Sequence, residues 1–409
     1  MSIKKEKIPI VRFRDFSEPW IKNQLSEVAE FSKGRGYSKK NLQSHGTPII
    51  LYGRLYTNYE SVISNVETYA NLEENSVVSE GGEVIIPASG ESADDISRAS
   101  CVIDRGIILG GDLNIVRPHE YLNSLFIAIT LSNGSQQREL SKRAQGKSVV
   151  HLHNSDLKAV KLFYPSYEEQ SAIGSLFRTI DDLLASYKDN LANYQSLKAT
   201  MLSKMFPKAG QTVPEIRLDG FEGEWKIKEL GKVIKFYSGL TYKPSDVLSS
   251  GTLVLRSSNV REGELIYTDN VFVNPGIVNC ENVKLGDIVV VVRNGSRDLI
   301  GKHALIKSEM PNTVIGAFMT GIRCDNPEFI NALLDTKMFI YEINRNLGAT
   351  INQITMGNFK KMKFYFPLTD EQQAIGAYFS NLDNLIAAHQ EKITQLETLK
   401  KKLLQDMFI

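Results

Sequence analysis

Apolar residues recur at steps of three and four residues along two long stretches of the chain. No Pro or Gly interrupts the stretches between Gly174 and Phe206 or between Gly376 and Phe408. This period is typical of an amphipathic helix, and its persistence over several heptads predicts a coiled-coil seam. The seam residues expected are Ile180, Leu184, Tyr187, Leu191, Tyr194, Leu197, Met201 and Met205 in the first helix, and Leu382, Ile386, His389, Ile393, Leu396, Leu399, Leu403 and Met407 in the second.

Outside these helices the pattern changes to short runs rich in Ile and Val and bounded by Gly, Ser and Asn. Runs of this kind, which predict strands, cover 47–51, 83–87, 252–256 and 287–293. An extended arm over 9–20 precedes a short helical stretch that ends near Phe31, and further helices are expected near 121–131 and 327–344. Pro165 and Pro367 end the last strand of each half where a long helix begins.

The two halves of the chain repeat one another. Trp20 and Trp225, the only two tryptophans, lie 205 residues apart, and Arg12 and Arg217 share that offset. Towards the end of each half the offset becomes 202, so that Glu169-Gln170 matches Glu371-Gln372 and Leu202-Ser203-Lys204-Met205-Phe206 matches Leu404-Gln405-Asp406-Met407-Phe408 at its apolar positions. We therefore expect two similar domains, each followed by a long helix.

This layout predicts an α+β fold with two similar mixed α/β domains at 1–160 and 208–365, and long helices at 161–207 and 366–409. Each helix could pack on its own domain, but we favour an antiparallel coiled coil between the two. In that arrangement the domains stand about a pseudo-two-fold axis at the ends of a rod roughly 40 Å long. Duplex DNA has matching symmetry, and one turn of B-DNA measures about 34–36 Å.

Composition limits the function classes. Of the 409 residues, 42% are hydrophobic and 23% charged, and no run of 18 apolar residues predicts a membrane span. The N-terminus lacks the apolar core of a signal peptide, so a cytoplasmic protein is expected. The net charge of +1 argues slightly against a simple DNA-binding protein, since phosphate contacts usually require a basic excess. If the chain binds DNA, its basic residues must therefore be clustered, or a partner must supply part of the phosphate contacts.

No motif predicts an enzyme or a metal site. Gly146-Lys147-Ser148 resembles the end of a phosphate-binding loop, but Ser141 stands where that motif requires glycine. His151 and His153 share a strand face without further ligands nearby, and the three cysteines form no CxxC pair. Adjacent carboxylates such as Asp181-Asp182 do not converge on one substrate atom. Neither metal, cofactor nor catalytic residue is expected.

The segments around the helix ends carry a family resemblance. Pro165 to Gln170 and Pro367 to Gln372 open the helices, and Lys204-Met205-Phe206-Pro207 and Asp406-Met407-Phe408-Ile409 end them. With the duplication and the paired seams, the chain resembles the specificity subunit of a type I restriction-modification system over essentially its whole length.

The resemblance implies a non-catalytic subunit with two target-recognition domains, each of which reads one half of a split sequence in double-stranded DNA. It also implies that the helices are a spacer and a docking surface for modification (methyltransferase) subunits, two of them in our expectation, which restriction subunits join. S-adenosylmethionine, ATP and Mg are then expected only on those partner subunits. No membrane is expected as a partner.

Base reading requires polar side chains on loops that can enter a groove. Polar positions that differ between the halves suit two domains with different half-sites: 52–54 aligns with 257–259, and 88–92 takes the role of 293–297. Any single residue could instead be a solvated charge or a turn former. The candidates are Arg35, Lys39, Lys40, Tyr52, Arg54, Ser89, Lys142, Arg143, Lys147, Lys243, Ser257, Asn259, Arg293, Asn294, Arg297 and Asn352. The alternative function is a tandem-repeat coiled-coil scaffold that does not bind DNA.

Overall fold

The structure, a computed structural model, describes residues 9–146, 149–348 and 352–408. It divides into two compact units. Unit 1 comprises Met1–Lys188 and Glu391–Ile409, and unit 2 comprises Asp189–Gln390. Each unit therefore contains one α+β domain and a part of both long helices.

In unit 1 a five-stranded sheet has helices on one face and a smaller three-stranded sheet beyond the other. The five strands run in the order β2-β10-β6-β8-β4, antiparallel except for the β8–β4 pair, and the smaller sheet has the order β5-β3-β9. The strands are β1 Ile21–Gln24, β2 Ala29–Lys33, β3 Thr47–Ile50, β4 Val62–Ile63, β5 Tyr69–Ala70, β6 Glu83–Pro87, β7 Ser89–Gly90, β8 Ser100–Val102, β9 Ile108–Leu109, β10 Leu113–Pro118, β11 Val150–His151 and β12 Lys161–Tyr164. The helices are α1 Leu25–Val28, α2 Arg54–Thr57, α3 Ala93–Ile96, α4 Ser124–Leu131, α5 Gly134–Arg143, α6 Asn154–Lys158 and α7 Tyr167–Lys204, whose last part belongs to unit 2.

Unit 2 repeats this plan with a four-stranded antiparallel sheet in the order β14-β23-β20-β21 and a second sheet in the order β15-β19-β16-β22. Its strands are β13 Lys226–Glu229, β14 Lys235–Ser238, β15 Val247–Leu248, β16 Thr252–Leu255, β17 Val260–Arg261, β18 Glu264–Leu265, β19 Val271–Val273, β20 Ile288–Val291, β21 His303–Leu305, β22 Thr313–Ile315, β23 Met319–Arg323 and β24 Lys363–Phe366. Its helices are α8 Pro327–Leu334, α9 Lys337–Asn346, α10 Met356–Lys361 and α11 Thr369–Asp406, whose last part belongs to unit 1. Short 3-10 turns cover Lys39–Asn41, Leu230–Lys232, Pro244–Asp246, Ser257–Asn259, Pro275–Ile277 and Arg297–Leu299.

The expected α+β class and the duplicated layout are confirmed, and two local expectations need correction. Phe31 lies in strand β2, because the short helix already ends at Val28. The helix expected over 327–344 is two helices, since Thr336 accepts a hydrogen bond from Phe339 N and caps a new start. Within the described residues, neither α7, α11 nor any other helix is apolar enough over a sufficient length to cross a membrane.

A buried arginine–glutamate pair fixes the N-terminal arm of each unit to the start of a long helix. Arg12 Nε and Nη2 donate to the two carboxylate oxygens of Glu169 at 2.7 Å each. Arg217 makes the same bidentate contact with Glu371 at 2.8 and 2.7 Å. The glutamate side chains are only 1% and 2% exposed. The neighbouring Gln170 donates to Pro165 O at 2.9 Å, which holds the turn into the helix.

Helices α7 and α11 pack against each other in antiparallel fashion in both units. In unit 1, Asp181 of α7 pairs with Lys400 of α11, and Lys188 with Glu397 at 2.8 Å. In unit 2, Lys198 Nζ lies 2.6 Å from Asp383 Oδ1, and the Tyr194 and His389 rings meet edge to face.

The end of each long helix completes the core of the unit that it reaches. Phe408 packs against Phe126 and Phe177 in unit 1. Phe206 packs against Trp225, Phe329 and Phe379 in unit 2. Burial of a phenylalanine contributes about 1.5–3 kcal/mol. The core of each unit therefore depends on the C-terminal end of one long helix, α11 in unit 1 and α7 in unit 2.

The interior of the helix pair differs from the expected seam at two positions. Leu197 and Leu399 are 40% and 48% exposed, whereas their neighbours Lys198 and Lys400 turn inward to Asp383 and Asp181. Each lysine is partly withdrawn from water and therefore requires a carboxylate partner, which Asp383 and Asp181 supply. The other expected positions are buried or half-buried: Ile180, Leu184, Tyr187, Leu191, Tyr194, Met201, Met205, Leu382, Ile386, His389, Ile393, Leu396, Leu403 and Met407.

A buried histidine in unit 2, His303, is connected through Asp335 to Lys198 of the helix pair. His303 donates from Nδ1 to Gly301 O at 3.0 Å, and its Nε2 lies 3.3 Å from Asp335 Oδ1, a contact that is an ion pair when His303 is protonated. Asp335 also contacts Lys198 at 2.6 Å. Burial lowers the pKa of His303, but the contact with Asp335 outweighs it, so that the pKa is raised above its usual value. Burial alone would raise the pKa of Asp335, yet His303 and Lys198 hold it at about 2.

Unit 2 should lose stability as the pH rises through the folded-state pKa of His303. A raised pKa means that protonated His303 stabilises the fold fully below its unfolded pKa of about 6.5 and that this contribution disappears above the folded pKa. We expect the free energy of unfolding in urea, measured from about pH 6 to about pH 9, to fall less steeply in His303→Gln than in the parent chain. The exposed His45→Gln serves as control and should keep the parental slope. Equal slopes in all three proteins would contradict this account.

Replacement of Glu169 should destabilise unit 1 strongly. Glu169→Gln leaves the partly buried Arg12 guanidinium without its counter-charge, which should cost roughly 3 kcal/mol in urea unfolding. The exposed neighbour Glu168→Gln is the matched control and should stay within about 0.5 kcal/mol of the parent chain. A Glu169→Gln variant as stable as the control would show that the pair does not hold the arm.

Candidate nucleic-acid interface

In each unit, several loops lie together at one edge, where the backbones of two glycines approach each other closely. A Cβ on Gly34 would lie 1.9 Å from Gly110 O, and one on Gly239 would lie 2.1 Å from Gly316 O. Only glycine allows this contact. Backbone hydrogen bonds then connect the neighbouring loops: Gly110 N to Ile50 O, Ala88 N to Asp112 O and Leu152 N to Ala88 O in unit 1, and Gly316 N to Leu255 O, Val292 N to Phe318 O and Ile354 N to Val292 O in unit 2.

These loops define two equivalent surfaces. Edge 1 consists of residues 34–37, 51–54, 88–92, 110–112 and 150–153, and edge 2 of residues 239–243, 256–259, 292–297, 316–318 and 352–354. The strand partners correct the expected alignment by one residue. Ser89 pairs with His151, and Arg293 pairs with Gln353, so Ser89 rather than Ala88 is the equivalent of Arg293. By the same bonding pattern Asp112 is the equivalent of Phe318.

Side-chain hydrogen bonds hold the 293–297 loop of edge 2 to two other loops. Asn294 Nδ2 donates to Ser257 Oγ at 3.0 Å, and Asn352 Nδ2 donates to Gly295 O at 3.0 Å. Asn294 Oδ1 accepts from Ser296 N at 3.0 Å. Three of the candidate residues, Ser257, Asn294 and Asn352, are thus brought together and fix the shape of the loop.

Arg293 projects from this framework over an exposed aromatic ring. Its guanidinium carbon lies 4.8 Å from the centroid of Phe318, and Phe318 is 51% exposed. The backbone N–H groups of Val292 and Arg293 both donate to Phe318 O, at 3.0 and 3.2 Å. The two side chains therefore stand on one rigid turn.

Edge 1 presents different chemistry on the same backbone plan. Ser89 Oγ lies 3.1 Å from His151 Nδ1, and the His151 and His153 rings stack at 6.4 Å. Tyr56 donates its hydroxyl to Ser89 O at 2.5 Å, and burial raises its pKa. Asp112 is exposed at a positive φ of 58°. Edge 1 thus offers a hydroxyl, a carboxylate and an imidazole where edge 2 offers an arginine, a phenylalanine and a glutamine.

Two candidates have structural roles instead. Asn259 is fully buried, where its side chain accepts from Arg256 N and donates to Ile266 O, so it stabilises a turn and is not exposed on the surface of edge 2. Arg54 donates from Nη2 to Glu60 and to Asn65 O at 2.7 Å each, so that part of its guanidinium holds neighbouring segments of unit 1 together.

The remaining candidates lie within the edges, next to them in sequence, or elsewhere in unit 1. Exposed cations within the edge loops are Arg35, Lys243 and Arg297, and the exposed Lys39 and Lys40 follow the 34–37 loop. Tyr52, in the 51–54 loop, is 38% exposed beside Tyr56. Lys142 and Arg143 lie in the last turn of α5, and Arg143 pairs with Glu139. Lys147 lies outside the described residues. Sequence reasoning missed Phe318, Gln353 and Asp112, because only the strand register identifies them as edge positions.

The chemistry of the edges is that of hydrogen bonding and stacking. Arginine, asparagine, glutamine, serine and carboxylate side chains are the groups that distinguish bases in a groove. No three His, Cys, Asp or Glu side chains within the described ranges form a group that could hold a metal ion.

Comparisons with known proteins give the family. The model of the type I restriction modification DNA specificity domain matches twice, at residues 17–193 and 222–398. The chain is 21% identical to the type I restriction enzyme MjaVIII specificity subunit of Methanocaldococcus jannaschii, covering 97% of this chain and 90% of that protein. It is also 21% identical to the putative type I restriction enzyme MjaX specificity subunit of the same organism, with coverages of 98% and 95%.

A solved structure shares the fold. The type I restriction-modification S subunit from M. genitalium has a TM-score of 0.65 with this chain at 16% identity, over 98% of this chain and 99% of that one. Since both halves match the same family model and that model covers most of the sequence, the chain belongs to the type I restriction-modification DNA specificity family.

Proposed function

We propose that the chain reads a DNA target made of two separate blocks, with edge 1 on one block and edge 2 on the other. The observation that carries this proposal is the pair of equivalent edges with different side chains. Ser89, Asp112 and His151 occupy the positions that Arg293, Phe318 and Gln353 occupy in unit 2. Two domains that recognise different half-sites require the same backbone plan with different side chains at the positions that contact bases.

The recognition domains of this proposal extend over 1–160 and 208–365, and the helical segments 161–207 and 366–409 space them and dock partners. Leucines on the outer helix faces support the docking role. Leu183 and Leu399 of unit 1 are 42% and 48% exposed, and Leu197 and Leu385 of unit 2 are 40% and 41% exposed. They stand at repeat-equivalent positions, which suits two copies of one partner.

As a specificity subunit the chain is non-catalytic and works in a complex with other restriction-modification subunits and DNA. We propose two methyltransferase subunits as the partners of the helices, with restriction subunits joining that core. S-adenosylmethionine, ATP and Mg would then bind to those subunits. With a net charge of +1, the chain needs its partners to supply much of the contact with phosphates.

The alternative of a coiled-coil scaffold without DNA binding is not favoured. Both halves match a DNA specificity domain, and each half builds a polar edge in addition to its helix. A scaffold would need the paired helices but would have no use for two different polar edges on one backbone plan.

Deletion of this chain should remove methylation from one split motif in the host genome. We expect a genome-wide map of methylated bases to show two short blocks around a fixed gap in cells with the chain, and to lose that motif on deletion. Restoration of the chain on a plasmid controls for effects on the neighbouring methyltransferase gene. An unchanged map, with the methyltransferase demonstrably active at other sites, would contradict the proposed function.

A further inference from the structure

The geometry points to Arg293 as a reader of guanine: we propose that Arg293, held on the Phe318 ring, contacts the O6 and N7 atoms of a guanine in the block read by unit 2. This inference rests on the proposed function and adds the identity of one base and of the residue that selects it. Three observations support it: the uncommitted guanidinium, its aromatic platform and the rigid loop beneath it.

Arg293 differs from every other arginine of unit 2. Within the described residues, the other six arginines each contact a carboxylate or a backbone carbonyl. These contacts are Arg217 with Glu371, Arg256 with Asp269, Arg261 with Glu262, Arg297 with Asn344 O, Arg323 with Asp287 and Arg345 with Glu342. No acceptor among the described residues meets the Arg293 guanidinium. An arginine kept free of protein acceptors retains its full set of donors for a ligand.

The Phe318 ring restrains this free side chain. A guanidinium 4.8 Å from a ring centroid gains a favourable cation–π contact, while its N–H groups remain available for hydrogen bonds in its own plane. Phe318 itself is 51% exposed. An exposed phenylalanine under an uncommitted arginine is explained if the ring orients the guanidinium before DNA arrives, which lowers the entropy lost on binding.

The loop that carries Arg293 is also fixed in advance. Asn294 is bound to Ser257, and Asn352 to Gly295, so the loop is tied to the two neighbouring segments of edge 2. The base of the side chain therefore has a defined position and direction. A defined fork of two parallel donors matches guanine, which presents O6 and N7 side by side in the major groove.

Edge 1 lacks the elements of this reader. Ser89 stands in place of Arg293, and Asp112 in place of Phe318. A carboxylate does not accept a bond from guanine O6 or N7, since all three are acceptors. The guanine contact of Arg293 therefore has no equivalent at Ser89, and the block of unit 1 should not respond to changes at Arg293.

The test is methylation of a randomised DNA library by the assembled complex, with sequencing of the methylated fraction. The parent complex should yield a split motif with a G·C pair in the block of unit 2. Arg293→Lys keeps the charge but loses the fork, and should reduce discrimination at that one pair by roughly five- to 150-fold. Phe318→Leu should also reduce discrimination at that pair, but by a smaller factor than Arg293→Lys. Arg345→Lys, on an exposed arginine of α9, is the matched control and should leave the motif unchanged.

Each outcome separates the inference from the proposed function. A parent complex that methylates no split motif contradicts the proposed function itself. A parent motif without a G·C pair in the block of unit 2, or one that Arg293→Lys leaves intact, overturns only the guanine assignment. A uniform loss of methylation over all sequences, with a weaker salt dependence, would mean that Arg293 contacts phosphate and would also overturn it. Since preferences are compared within active complexes, misfolded variants do not mimic the expected result.

Discussion

A carboxylate buried at the start of each long helix requires a permanent counter-charge, and the rest of each unit is arranged around this requirement. Glu169 and Glu371 are almost completely withdrawn from water and are held by two parallel hydrogen bonds from Arg12 and Arg217. A buried charge of this kind is costly without its partner. The arms that bear the arginines are therefore fixed, although their described residues, 9–20 and 207–225, contain no regular secondary structure.

Each arm connects both long helices. Arm residue Val11 donates its N–H to Asp406 O at the end of α11, while Arg12 holds the start of α7. In unit 2, Ile216 N donates to Lys204 O at the end of α7, while Arg217 holds the start of α11. The helix ends then insert their phenylalanines into the two cores. These contacts hold the helix ends in the core of each unit, and the loops of edges 1 and 2 carry different polar groups on the same backbone plan.

The sequence was sufficient to predict the features that depend on periodicity and duplication. The spacing of the seam residues predicted both long helices, because helical periodicity is a local property of the sequence. The Trp20–Trp225 offset predicted the two domains, because the second half of the chain repeats the first. It could not show that Lys198 rather than Leu197 turns inward, since the carboxylate that attracts this lysine comes from another helix. For the same reason it could not show that Asn259 is buried in a turn, or that Phe318 lies beneath Arg293. Those side chains are placed by strand register and by partners distant in sequence.

The central claim, that each unit reads its own block, is tested most directly by building a chain that carries one reader twice. Residues 10–163 would replace their repeat partners 215–365, so that each junction falls at equivalent positions in the two halves. Methylation by the complex of this chain would then be mapped by sequencing. The account predicts that the block of unit 2 is replaced by a second copy of the block of unit 1, while the latter persists. An unchanged motif would contradict it, because the second block would then be read by something other than unit 2.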